Sequence, residues 1–131
     1  MSLAKYIRLT RGQRGSIKGA YTEAKRWLSS GISVFFFPEG TRSRTGQLGP
    51  FKNGAFKLAL ETGILIVPIA VTGTRDLLTR GSWLFRGNSH VRITVLPPLD
   101  PARYRPDEHE RLRDDTHRLI HQTLQASSRP A

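Results

Sequence analysis

Phe37-Pro38-Glu39-Gly40-Thr41-Arg42 follows an apolar run and sets a carboxylate, a glycine and a guanidinium within four residues. The guanidinium of Arg42 offers a planar fork of donors that matches phosphate. Arg44 and Lys52 add positive charge close by. Pro38 has no N–H to give to a sheet ladder, so strand pairing stops there. Gly40 allows a tight turn and the close approach of a ligand. Asn53 is placed to cap a helix, and a helix N-terminus favours anions. In this basic setting Glu39 is suited to holding Arg42 or Arg11. Taken alone, a Pro-Glu-Gly turn is more often an ordinary connection with an Arg at the surface.

Proton-transfer and metal chemistry have thinner support. There is no Cys, so thiolate nucleophiles, thiolate metal sites and disulfides are excluded. The four His are His90, His109, His117 and His121. His109 and Asp114 stand five apart in a helical stretch, about 140° apart around the axis, and so do not share a face. They are expected to lie on a solvated helix face. His117 and His121 have the i, i+4 spacing of a metal pair but no third ligand near them, and a surface role is expected. No metal or cofactor is expected. No GxxxxGK[ST] or GxGxxG loop follows a strand, so nucleotide-phosphate enzymes have no support.

The 131 residues carry 21 Lys and Arg against 10 Asp and Glu, a net charge of +11. Residues 1–57 hold 11 bases and two acids, so they carry most of it. That asymmetry points to an anionic partner such as a nucleic acid, an anionic membrane or a phosphorylated small molecule. The longest apolar runs fall short of the ~20 residues of a spanning helix. No secretory leader is visible.

The elements that must position the turn follow from periodicity. Residues 6–9 read as a short strand. Ser16 is placed to cap a helix with Ile17, Ala20, Tyr21, Ala24, Trp27 and Leu28 on one face, ended by Gly31. Residues 32–37 read as a strand buried on both faces. A second helix is expected over residues 54–62, closed by Gly63. A buried strand follows at 65–71, an irregular stretch at 72–90, and a half-wet strand at 91–96. Asp107 is placed to cap a last helix with Leu112, Thr116, Leu119, Ile120 and Leu124 on its apolar stripe. Residues 127–131 are expected to fray. This order predicts one α/β domain over 1–131, with a mainly parallel sheet of about four strands flanked by helices.

FPEGTRS, then GPFKNGAFKLA, then ILIVPIAVTGT, in that order, resembles the acyltransferases that acylate glycerol 3-phosphate and lysophospholipids, above all the 1-acylglycerol-3-phosphate acyltransferases. The likeness runs over residues 5–98. Tyr6-Ile7-Arg8-Leu9-Thr10-Arg11-Gly12 is similar to the family's second motif, with Thr10 where an Asp or Asn is common. The resemblance implies that a hydroxyl of a phosphorylated glycerol attacks the thioester of acyl-CoA or acyl-carrier protein. It implies that Glu39 and Arg42 meet the acceptor's glycerol and phosphate. Arg11 would be a further phosphate contact. With Gly40, Thr41 and Lys52 these make up the expected acceptor site, and residues 67–69 would shape the acyl or acceptor site.

The family's catalytic His and Asp belong to an H-x4-D motif near the start of the domain. Here no His precedes His90. The expectation is therefore an incomplete glycerolphosphate-acyltransferase-like domain that holds the acceptor-phosphate half and is inactive alone. It would be cytoplasmic and peripheral to an anionic membrane, with lysophosphatidic acid as acceptor. Two other readings stay open: a non-catalytic module for anionic lipid or phosphate, and a nucleic-acid-binding protein. Against the last, the 11 aromatics look mostly like core, including Phe35, Phe36, Phe37 and Trp27, and no basic reading helix or RNA-binding signature appears.

Overall fold

Helix α1, Arg14–Ser29, buries Ala24 and Trp27, one turn apart on the face its 3.6-residue period predicts. The computed structural model describes residues 14–40, 46–74 and 90–127, with the side chains of 14–16 left aside. α1 begins two residues ahead of the expected cap at Ser16, and Ile17 stays 59% exposed. The helix packs against α2, Gly54–Thr62, across which Lys25 Nζ meets Glu61 Oε2 at 3.3 Å. Both side chains are half exposed, so that pair adds little. Burial pushes the Tyr21 hydroxyl up to about 12, with the Glu61 carboxylate adding to the rise.

α2 has the bounds expected of it. It buries Phe56, Leu58 and Ala59, and Gly63 closes it by giving its N–H to Ala59 O at 2.8 Å. Asn53 does not cap it through its side chain. Its Oδ1 instead accepts from Arg113 Nη1 at 2.7 Å.

Strand β1, Ile69–Thr72, pairs antiparallel with β2, Arg92–Val95, in the register Ile69↔Val95 to Thr72↔Arg92. An isolated bridge joins Ile66 to Leu99 beyond the ladder. A short 3-10 turn, Pro101–Arg103, follows, with Asp100 Oδ1 accepting from Ala102 N at 2.9 Å. Helix α3, His109–Ser127, presents Leu112, Thr116 and Ile120 at i, i+4 and i+8 to the interior. The core joins Phe51, Phe56, Ala59, Ala70, Leu112 and Ile120. Tyr104 and Leu124 pack at its edge.

Three expectations change. Among the described residues the sheet has two antiparallel strands, where a mainly parallel sheet of about four was expected. Residues 32–37 make no ladder, and Phe35 is 77% and Phe37 86% exposed. Among the described residues no strand pairs with that run, so its apolar side chains are not buried on both faces. Residues 65–71 are buried on one face only: Pro68 and Ala70 point inward, while Leu65, Val67 and Val71 are exposed. The expected strand at 6–9 and residues 75–89 of the irregular stretch expected at 72–90 lie outside the described residues, while Thr72 belongs to β1.

Candidate functional site

The turn after residue 37 is closed by Gly40 N–H donating to Phe37 O at 3.0 Å. Gly40 takes φ +69°, a left-handed backbone that costs an ordinary L-residue roughly 1–2 kcal/mol. The Lys52 side chain lies over it. A Cβ added to Gly40 would stand 3.1 Å from both Lys52 Cε and Nζ. The expected site residues Glu39, Gly40 and Lys52 are thus brought together.

What joins them is a strap, residues 49–53, laid alongside the turn. Glu39 Oε2 accepts from Gly49 N at 2.8 Å. Lys52 N–H donates to Pro38 O at 2.8 Å. The first is a charge-assisted bond and the second satisfies the carbonyl of a residue that cannot itself donate. On its other side the strap is held by α3. His117 Nε2 lies 3.1 Å from Gly49 O, and Arg113 Nη1 donates to Asn53 Oδ1. A carbonyl only accepts, so His117 carries its proton on Nε2. Phe51 anchors the middle of the strap. Its buried ring stacks on Phe56 at 6.3 Å and meets the edge of His117 at 4.7 Å.

Arg11, Thr41 and Arg42 lie outside the described residues, as does Arg44. Gly49, which binds the turn, and His117, which binds Gly49, were not singled out from the sequence as site residues. No local signal marks a contact 68 residues apart. His117 was expected at the surface and is instead half-buried against the strap. His121 is exposed, its ring stacked on His117 at 6.1 Å. Among the described residues no three His, Cys, Asp or Glu side chains gather as a metal site would require. Asp114 is exposed and bound by Arg113 Nε at 2.8 Å, and that hydrogen bond holds its carboxyl below the usual range.

A family model described as Acyltransferase matches residues 1–72. The chain belongs to the acyltransferase family. This acyltransferase chain is 39% identical over 99 residues to the chloroplastic 1-acyl-sn-glycerol-3-phosphate acyltransferase BAT2 of Brassica napus, covering 76% of this chain and 29% of the relative. It is 33% identical over 113 residues to the 1-acyl-sn-glycerol-3-phosphate acyltransferase alpha of Mus musculus, covering 86% and 40%. The crystal structure of PlsC, the 1-acyl-sn-glycerophosphate acyltransferase from Thermotoga maritima, matches with a TM-score of 0.70 at 27% identity, over 86% of this chain and 46% of that one. The acyltransferase chain therefore has an α/β acyltransferase-like fold and spans less than half the length of each of these relatives.

Proposed function

We propose that this acyltransferase chain is a single domain unit that binds the acceptor of a 1-acylglycerol-3-phosphate acyltransferase. The observation that carries the reading is the contact between two stretches the family resemblance links. The Pro38-Glu39-Gly40 turn of FPEGTR is hydrogen-bonded to Gly49 and Lys52 of the GPFKNG stretch. Lys52 brings an ammonium to the turn, and Arg42, three residues after Glu39, would bring a bidentate fork. Arg11 and Thr41 would complete the phosphate contacts. In the full reaction the acceptor hydroxyl attacks the acyl thioester carbonyl. A C–O bond forms, the C–S bond breaks, and the hydroxyl proton passes to a base while the thiolate leaves. The donor is acyl-CoA or acyl-carrier protein and the acceptor lysophosphatidic acid. With no His before His90, the chain alone supplies acceptor binding and not the base.

The test is titration with glycerol 3-phosphate. Arg42→Ala should weaken binding ten-fold or more, since a hydrogen bond to a charged group contributes about 1.5–3 kcal/mol. Arg42→Lys should recover little. Arg118→Ala, an exposed arginine paired with Asp115, should bind as the unaltered chain does. Equal affinity of the Arg42→Ala and Arg118→Ala proteins would sink the assignment.

The concentration of 11 bases against two acids in residues 1–57 fits a second reading, a non-catalytic module for anionic lipid or phosphate on the same residues. Acyl transfer to lysophosphatidic acid by a longer gene product separates the two. Among the described residues no helix is long and apolar enough to cross a membrane. We place the chain at the cytoplasmic surface of an anionic bilayer, held by its basic first half.

A further inference from the structure

Gly49 is pinned at both of its polar groups. Glu39 Oε2 holds its N–H at 2.8 Å and His117 Nε2 holds its carbonyl at 3.1 Å. The N–H precedes the φ bond and the carbonyl follows the ψ bond, so the two contacts together fix both rotations. That matters at a glycine, which has more backbone freedom to lose than any other residue. Pro50 follows and brings no N–H of its own to steady the strap. The donor is itself held. The His117 ring meets Phe51 at 71° and stacks on His121. Neither Lys52 N–H nor Arg113 substitutes for it, because they act on Pro38 and Asn53.

We infer that His117 is a positioning residue of the acceptor site. By fixing the Gly49 carbonyl it presents the Gly49 N–H to Glu39, and so sets the direction of the Glu39 carboxylate within the turn. His117 touches no reacting atom. The inference rests on the reading of the turn as the acceptor site.

Two measurements on the whole chain test it: the Gly49 amide resonance of the 15N-labelled protein, and its titration with glycerol 3-phosphate. His117→Phe keeps a ring against Phe51 and removes the donor. It should shift the Gly49 amide away from its hydrogen-bonded position, speed its exchange, and lower glycerol 3-phosphate affinity about five- to ten-fold, the effect of one neutral hydrogen bond. His117→Gln restores an N–H at similar reach and should return both readouts toward the unaltered chain. Arg118→Ala, an exposed residue of the same helix paired with Asp115, should change neither. If His117→Phe does not fold, His117→Leu makes the same comparison with a smaller apolar group. A Gly49 amide unmoved by loss of the donor overturns the inference. So does a His117→Gln protein that behaves like His117→Phe, since the role would then be packing alone. If the unaltered chain fails to bind glycerol 3-phosphate, the acceptor reading falls. The Gly49 amide response then decides by itself whether His117 directs Glu39.

Discussion

Glu39 and Gly49 stand ten positions apart in the chain and 2.8 Å apart in space, carboxylate to amide. A half-buried carboxylate spent on a backbone N–H acts as a fixed part of the loop and not as a mobile charge. Glu39→Ala should leave the Gly49 N–H without its partner and cost about 1–2 kcal/mol in stability, read by denaturant titration. Glu39→Gln keeps an acceptor oxygen and should cost less. Indistinguishable midpoints for Glu39→Ala and the unaltered chain would show that the contact contributes nothing.

Gly40 is expected to resist substitution for two reasons that add. Its φ of +69° disfavours any side chain, and a Cβ there would press on the end of the Lys52 side chain at 3.1 Å. The stem can swing aside, so Gly40→Ala should cost about 1–2 kcal/mol and displace the Lys52 ammonium. The displacement should appear as weaker glycerol 3-phosphate binding, by no more than Lys52→Met produces at the same temperature. Binding unchanged by Gly40→Ala would count against a role for this turn.

Leu112 is wholly buried at the start of α3 and belongs to the same core cluster as Phe51 in the strap. Leu112→Ala removes buried methyl groups and leaves a cavity, so it should cost about 2–5 kcal/mol. Because α3 also carries Arg113 and His117, the variant should loosen the strap as well. Faster exchange at Gly49 as well as in α3 is the expected pattern.

Acid should destabilise the fold through a few identified carboxylates. The Arg105 backbone N–H bound to Glu108 holds that carboxyl below its ordinary value, and Arg111 adds to the effect. Asp114 is lowered by Arg113. A carboxyl lowered in the folded state contributes stability above its ordinary pKa and loses it as pH falls through the folded value. Melting temperature should therefore fall as pH drops from about 5 toward about 3. Glu108→Gln should make that acid limb shallower. An acid limb of the same slope in Glu108→Gln would remove Glu108 from the account.

Vesicle sedimentation tests the membrane surface. With 11 bases and two acids in residues 1–57, the chain should bind anionic vesicles in preference to neutral ones. Each base near such a surface contributes about 1 kcal/mol, and salt screens it. Equal sedimentation with both vesicle types at low salt would refute the expectation.

Local signals marked the local elements well. The bounds of α2 follow from its apolar period between Asn53 and Gly63, and the buried stripe of α3 from Leu112, Thr116 and Ile120. The turn at Glu39 and Gly40 was legible because proline and glycine constrain the backbone by themselves. Burial was less so. Phe35, Phe36 and Phe37 read as interior because they are consecutive and apolar, yet exposure depends on what lies across from them, which periodicity does not encode. Asn53 has a cap's composition, but a guanidinium sixty residues away took its oxygen. His117 was set aside for the same reason: its partners Gly49 and Phe51 lie on another element.

The two sides of the strap differ in how far along the chain they must reach, and this orders their assembly. The bond from Gly49 to Glu39 closes a loop of ten residues, while the bond from Gly49 to His117 closes one of 68. Chain-entropy scaling makes the longer closure dearer by roughly 1.7 kcal/mol. The turn and strap can therefore meet while the C-terminal helix is still undocked, leaving a half-formed site whose Gly49 carbonyl waits for its donor. In a refolding experiment followed by pulsed hydrogen exchange, the Gly49 amide should gain partial protection first and reach its full value only when α3 becomes protected.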